Sequence, residues 1–264
     1  MITTRREFLR IGTAATTLAA LGPLDHAGGQ STPVLGMIFP PLNYPVPPEA
    51  TRLYPSGIRF LARGVGLTGM TPEGYDEAIP KVLPAAVSLA KEGATAISVM
   101  GTSLTFYKGA AFNQELTEAV HQATGLPATT MSTGIVEGLR AARARRVAVA
   151  TAYIPEVTRR LKIFLEESGF EVVAADGLGF LRVPPDLTQE RLFDFSASVY
   201  AGASGAEALL VSCGGLSTID LVVPLEDRCR IPVVTSTEHA LWHSVRLAGL
   251  DGRVPGFGRV LAGA

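Results

Sequence analysis

The chain has 264 residues, with 23 Lys and Arg against 24 Asp and Glu, a formal net charge of −1 and 47% hydrophobic residues. That length suits one large or two modest domains with a sizeable core, and the balanced charge without a dominant basic surface argues against nucleic acid as a partner. Its two cysteines, Cys213 and Cys229, form no CxxC pair or Cys/His cluster, which argues against a structural zinc site, and a predicted helix between them argues against a disulfide.

At the amino end, Thr4-Arg5-Arg6-Glu7-Phe8-Leu9-Arg10 precedes Ile11 to Leu21, rich in Ala, Thr and Leu. Basic residues ahead of a short apolar stretch describe a secretory signal, and Arg5-Arg6 followed by Phe8-Leu9 resembles a twin-arginine export signal. The apolar stretch is too short to span a bilayer as an ordinary helix. Residues 1–31 are therefore set apart as a leader. They imply a periplasmic protein without stable membrane insertion after export, or a cytoplasmic one if the leader is not functional. Twin-arginine cargo crosses folded, and a free thiol would then face an oxidising compartment.

Pro33 to Phe39 reads as the first strand, ending at Pro40-Pro41, and the proline-rich stretch from Leu42 to Gly57 as an irregular loop. Ile58 to Val65 reads as a second strand. Thr71-Pro72-Glu73 opens a helix that runs to Lys91, with a kink or late start expected at Pro80 and Pro84. Ala94 to Met100 is a strand running into Gly101-Thr102-Ser103. A helix over Ala111 to Thr124 stops at Gly125, and Pro127 to Thr130 is a strand. Ser132-Thr133 caps a helix through Ala142, whose end carries Arg140, Arg143, Arg145 and Arg146, read as a solvated terminus complementing the helix dipole. Val147 to Ala150 is a strand ending at Thr151-Ala152-Tyr153. A helix over Pro155 to Ser168, a strand over Glu171 to Ala174 and a helix over Leu187 to Ala203 follow. The apolar run from Ala206 to Val211 is a strand leading into Ser212-Cys213-Gly214-Gly215. A helix over Ser217 to Arg230, a strand over Pro232 to Thr235 and a helix over Thr237 to Leu247 complete the pattern.

Strands alternate with helices throughout, which predicts parallel βαβ units. Met100-Gly101-Thr102-Ser103 and Ser212-Cys213-Gly214-Gly215 echo each other, each closing a strand with small and hydroxyl residues. Ligands of α/β sheets bind outside the carboxyl ends of strands, so the echo suggests two similar halves facing across a cleft. Hydroxyls of Thr102, Ser103 and Tyr153 and backbone N–H groups near Gly214 and Gly215 could hold a carboxylate without an ion pair. Cys213, mostly protonated at neutral pH, would donate a proton to carbon beside such a cage; as a free cysteine it could equally be a packed core residue. His239 and His243 lie four apart on one helix face, but Ala240 stands where a metalloprotease helix has glutamate, so no metal is assigned.

At these residues the chain resembles the aspartate/glutamate racemase superfamily and, within it, the arylmalonate decarboxylase family. The matching stretches are Gly36-Met37-Ile38-Phe39-Pro40-Pro41, Arg52-Leu53-Tyr54-Pro55, Thr71-Pro72-Glu73-Gly74-Tyr75-Asp76, Met100-Gly101-Thr102-Ser103-Leu104, Thr129 to Thr133, Ala150-Thr151-Ala152-Tyr153-Ile154, Ser212-Cys213-Gly214-Gly215 and Val245-Arg246-Leu247-Ala248-Gly249. They span essentially everything after the leader. The racemases carry a cysteine on each half; this chain has Gly101 at the first place and Cys213 at the second. The resemblance implies an α/β fold of two flavodoxin-like halves with parallel sheets and the active site between them. The first half would be 32–131 plus 240–264 and the second 132–239. It implies cofactor-free decarboxylation of disubstituted malonates to chiral acids, with Cys213 protonating an enediolate. One carboxylate would be held by Gly101, Thr102, Ser103, Tyr153, Gly214 and Gly215, and the other would leave from an apolar pocket of Pro40, Pro41, Leu67, Met70, Met100 and Val183. The partner is then a small dicarboxylate, and the protein a monomer or small homo-oligomer. The stretches 42–48 and 182–187 depart from the family pattern, which leaves the pocket shape open. Two alternatives stand beside this reading: a racemase or maleate-type cis–trans isomerase, and an exported small-carboxylate-binding protein without turnover.

Overall fold

In a computed structural model of the protein, residues 32–263 are described, and the leader reading lies outside them. The strands β1 (Val34–Phe39), β2 (Arg59–Gly64), β3 (Ala96–Val99) and β4 (Ala128–Thr130) form one parallel sheet in the order β2-β1-β3-β4. A second parallel sheet is built from β5 (Arg146–Tyr153), β6 (Glu171–Phe180), β7 (Ala208–Ser212) and β8 (Val233–Thr235), in the order β6-β5-β7-β8. The two orders are the same, which puts β3 and β7 at equivalent places and gives the sequence echo a structural basis. The strands β1, β3 and β7 are buried at every residue. Parallel strands covered on both faces read as continuous apolar runs, and that is why they are visible in the sequence.

Helices cover the sheets, and several differ from the expectation. The stretch from Leu42 to Gly57 contains a short helix, α1 (Pro48–Leu53). Pro48 sits at its first turn, where no intrahelical N–H is needed, and Ala50 and Leu53 are buried under it. The helix expected from Pro72 to Lys91 is interrupted where a kink is expected, as α2 (Pro72–Ala78), a 3-10 turn Ile79–Lys81 and α3 (Val82–Lys91). The break falls at Pro80, and Pro84 lies in the first turn of α3, where its missing donor is harmless. A five-residue helix not expected from the sequence, α4 (Thr102–Phe106), follows β3 directly. Then come α5 (Ala110–Thr124), stopped by left-handed Gly125 at φ 69°, and α6 (Met131–Ala141). The cap of α6 is Thr130, not Ser132 or Thr133: its Oγ1 accepts the Thr133 N–H at 3.0 Å.

In the second half, α7 (Pro155–Glu167) and α8 (Gln189–Ala201) flank a β6 that runs six residues past the predicted Ala174, to Phe180. The helix expected from Ser217 starts only at Val222, as α9 (Val222–Cys229). The chain before it is a loop of tight turns, with Leu216 N–H on Cys213 O at 3.0 Å and Leu221 N–H on Thr218 O at 2.8 Å. The helix α10 (Ser236–Leu247) packs against α6 and also touches β3, β4 and β8. Gly134 on α6 allows that approach, since a Cβ there would stand 2.6 Å from Ala240 Cα. A last short helix, α11 (Arg259–Ala262), packs near β8. Among the described residues, no helix is long and apolar enough to cross a membrane.

Candidate active site

The carboxyl ends of β3, β5 and β7 converge. From β3 the chain passes through Met100 and Gly101 into α4, which begins on Thr102 and Ser103, both buried. Thr102 Oγ1 donates to Met131 Sδ at 2.7 Å, and the same sulfur would lie 3.0 Å from a Cβ built on Gly214. Thr102 and Gly214 therefore flank one thioether. Sulfur is a weak acceptor, so the Thr102 hydroxyl is not committed to a strong partner. Tyr153, the last residue of β5, is 1% exposed, and its ring meets Phe106 edge-on with centroids 5.8 Å apart. Its hydroxyl lies beside Ser212, Thr102 and Cys213, and burial pushes its pKa well up, so it stays a donor.

Cys213 follows β7 and is 6% exposed. Its N–H donates to Ser236 Oγ at 3.1 Å, Gly215 N–H donates to its Sγ at 3.5 Å, and Met70 Sδ is 3.9 Å from that sulfur. Burial raises the thiol pKa, and the Gly215 N–H and Tyr153 hydroxyl offset part of that rise. The thiol thus rests protonated. The strand ends bring the thiol together with the hydroxyls of Tyr153, Thr102 and Ser212. The helix expected from Ser217 begins only at Val222, eight residues after Gly214, so the backbone N–H groups beside the thiol belong to a turn and not to a helix start.

The residues expected to line an apolar pocket divide. Met70 reaches the thiol, and Val183 Cγ2 would lie 3.4 Å from a Cβ on Gly215. Leu67 N–H donates to Pro40 O at 2.7 Å, and Met70 N–H to Leu181 O at 3.2 Å, so three loops close over this side. Pro40 Cγ would stand 2.7 Å from a Cβ on Gly101. Pro41 is exposed at the rim. Met100 turns its side chain back toward Ser98, whose hydroxyl donates to Met100 Sδ at 3.2 Å; only its carbonyl oxygen faces Gly214, 3.8 Å from the Cβ position there.

Two further side chains belong to this place. Tyr75 on α2 is fully buried, packs at a tilt against Tyr107 with ring centroids 4.8 Å apart, and points its hydroxyl toward Ser103 and the thiol without a hydrogen bond of normal geometry. The stretch around it carried the family likeness, but nothing in its spacing marked the phenol. Tyr44, half-buried against Phe39 at 4.6 Å, lies close enough to feel Cys213. The cations near Tyr75 are engaged elsewhere, Lys108 Nζ with Asp76 at 2.5 Å and Arg160 with Glu156 at 3.0 Å. Among the described residues, no Lys or Arg bonds to these hydroxyls. Of the two helix histidines, His239 is buried with Nδ1 accepting the Thr235 N–H at 3.0 Å, and burial lowers its pKa to about 3.

A family model described as arylmalonate decarboxylase matches residues 35–261. Arylmalonate decarboxylase of Bordetella bronchiseptica is 46% identical over 233 residues, covering 87% of this chain and 97% of that protein. Maleate isomerase of Pseudomonas putida is 26% identical over 165 residues, covering 59% of this chain and 65% of that one. Among solved structures, a double mutant of arylmalonate decarboxylase in its liganded form superposes with TM-score 0.86 at 44% identity, covering 88% of this chain and all of that one. A Nocardia farcinica maleate cis–trans isomerase mutant with a covalent succinylcysteine shares the fold, with TM-score 0.80 at 22% identity over 87% of this chain and 98% of that one.

Proposed function

Since the chain belongs to the arylmalonate decarboxylase family and is a carbon–carbon lyase, we propose that it decarboxylates disubstituted malonates to chiral α-substituted acids, with Cys213 as the proton donor and no cofactor. The observation that carries this reading is the buried Cys213 thiol beside the hydroxyls of Tyr153, Thr102 and Ser212, with no Lys or Arg bonded to them among the described residues.

One carboxylate of the substrate accepts from Thr102, Ser103 and Tyr153, with Tyr75 as a fourth hydroxyl and the Gly214 backbone beside them. The other lies against Leu67, Met70, Val183 and Pro40. An apolar wall disfavours a carboxylate and tolerates neutral CO₂. The bond from the α-carbon to that carboxylate breaks, CO₂ leaves, and the electron pair passes to the retained carboxylate as an enediolate. Preorganised hydroxyls stabilise the charge there. The Cys213 S–H then protonates the α-carbon from one face, and the thiolate regains its proton from solvent. Racemisation would need a second acid on the opposite face. In this reading Gly101 takes that place, where a Cβ would stand 2.7 Å from Pro40 Cγ.

The leader fits the same reading, with the Arg5-Arg6 signal sending a folded enzyme to the periplasm. The test is CO₂ release from α-methyl-α-phenylmalonate by the full chain and by Cys213→Ala in metal-free buffer. Release by the parent and its loss in the variant are expected. Equal rates would remove the thiol from the mechanism, and no release from a panel of malonates would remove the reaction.

A further inference from the structure

The loop from Cys213 to Leu221 is tied down by partners outside it. Cys213 N–H donates to Ser236 Oγ at 3.1 Å, Thr237 Oγ1 donates to Gly214 O at 3.5 Å, and Thr218 Oγ1 donates to Glu238 Oε2 at 2.8 Å. Three consecutive residues of α10 thus grip the start and the middle of the loop. Glu238 is the unusual member. It is fully buried, its Oε2 also accepts from Thr235 Oγ1 at 2.6 Å, and its Oε1 has no partner. Burying a carboxyl with half its capacity unmet is costly. An apolar residue of similar volume would fill the space without that penalty. What the carboxyl supplies in return is one oxygen bridging Thr235, at the end of β8, to Thr218, in the thiol's own loop.

The far end of the same helix reaches the other half of the site. Ser244 Oγ donates to Ser98 Oγ at 2.9 Å, on β3, the strand that ends at the hydroxyl cage. One rigid helix is therefore bonded to the thiol loop near its start and to the cage strand near its finish.

We propose that Glu238 is a positioning residue that holds the Cys213 thiol opposite the hydroxyl cage, acting through Thr218, with Ser236 fixing the Cys213 backbone. The proposal rests on the decarboxylase reading for its kinetic consequence. A donor displaced by about 1 Å can lose about 10²-fold in rate. It also loses its monopoly, since water then protonates the enediolate from either face and the product loses enantiomeric purity. A residue that merely supports folding would lower the active fraction and leave enantiomeric purity untouched.

The experiment uses the full chain as parent, Glu238→Ala, Glu238→Gln and Thr218→Val. It measures kcat, KM and product enantiomeric excess with a disubstituted malonate. It also measures the rate of iodoacetamide alkylation at Cys213 and at Cys229, read separately by peptide mass. Glu238→Ala and Thr218→Val should each lose roughly tenfold or more in kcat with KM within about twofold, with a clear fall in enantiomeric excess. Glu238→Gln keeps an acceptor oxygen for both threonines and should recover most of both. Releasing the loop exposes the thiol and lowers its raised pKa, so alkylation at Cys213 should quicken while Cys229, the reporter of global opening, does not change. Should Glu238→Ala fail to fold, Thr218→Val breaks the same bond from its other end. Unchanged enantiomeric excess and unchanged Cys213 alkylation in Thr218→Val would overturn the proposal, as would quickening at both cysteines together. If the parent turns over no malonate, the decarboxylase reading fails and the alkylation comparison alone decides the positioning role.

Discussion

Tyr153→Phe removes one oxygen from the cage and leaves the ring in place. The ring is seated by β5 and by its edge contact with Phe106, with 1% of the residue exposed, so the benzene shape has nowhere to move. A preorganised donor aimed at developing charge contributes about 10²–10³ in kcat, or about 2.7–4 kcal/mol. The folding cost is smaller, because one net hydrogen bond is worth about 1 kcal/mol. The pH profile gives a second reading with a definite sign. In the proposed mechanism the thiol acts only when protonated, so activity is full below its pKa and is lost as pH rises through it. The Tyr153 hydroxyl draws the raised Cys213 pKa partly back down. Removing the hydroxyl therefore lowers the plateau and moves the alkaline limb to higher pH. The assay is kcat from about pH 6 to about pH 10, bracketing ordinary thiol titration, with a urea melt on the same preparation. A plateau within about threefold of the parent, or a limb that moves to lower pH, would refute the cage as drawn.

Gly101→Ala puts a Cβ 2.7 Å from Pro40 Cγ and 3.1 Å from Leu104 Cβ; overpacking of this kind costs about 1–3 kcal/mol, to be read as a lower Tm and, through the displaced Pro40, a higher KM. The bidentate Arg52–Asp220 pair, at 3.0 and 2.7 Å, joins two exposed side chains and ties α1 to the thiol loop. Asp220→Asn should shift stability by about 1 kcal/mol or less yet lower kcat several-fold, with the parent's kcat itself falling in high salt. Glu238, raised above its ordinary value near 4.5 chiefly by burial and also by Glu49, binds its proton more tightly folded than unfolded. Its contribution to stability is full below about pH 4.5 and is lost as pH rises through the folded value, so the stability of Glu238→Gln relative to parent should grow with pH in a series of urea melts. His239 has the opposite sign: held down to about 3 from an ordinary 6.5, it stabilises above pH 6.5 and loses that contribution as pH falls toward 3. His239→Gln should flatten the acid side of the parent's stability curve.

The parts of this fold visible in the sequence are those where one local rule dominates. The runs of β1, β3 and β7 are apolar throughout because both faces are covered. The threonine, serine and tyrosine that follow β3 and end β5 are legible as a candidate site because strand ends are where such sheets bind ligands. Proline reads both ways. Pro48 starts α1 inside a stretch that reads as loop, a helix not foreseen, while Pro80 interrupts the helix where a kink is expected. The end of β6 was missed because Asp176-Gly177-Leu178-Gly179 looks like a turn, whereas it continues as an edge strand with shifted register against β5, a place where bulges are tolerated. Tyr75 and Glu238 were invisible for a different reason. Each acts at the site from a separate helix, Tyr75 beside Ser103 and Glu238 on Thr218, and only the assembled sheets bring those pairs within reach.

The proposed mechanism asks two opposed things of Cys213, and the groups around the thiol that bear on both are weak ones. The thiol must stay protonated until an enediolate forms, and burial secures this by raising its pKa. The same burial penalises the thiolate left after transfer. A nearby cation would relieve that penalty, but it would also lower the pKa and discharge the acid before it was needed. The Gly215 N–H at 3.5 Å and the Tyr153 hydroxyl are intermediate solutions, neutral donors that stabilise the thiolate somewhat without making it the resting form. The hydroxyl cage follows the same logic on the substrate side. An Arg there would hold the ground-state carboxylate as firmly as the enediolate and gain little in rate. Hydroxyls such as Thr102, resting on a thioether, and Tyr75, resting on no partner, keep their donors for the species whose charge is greatest.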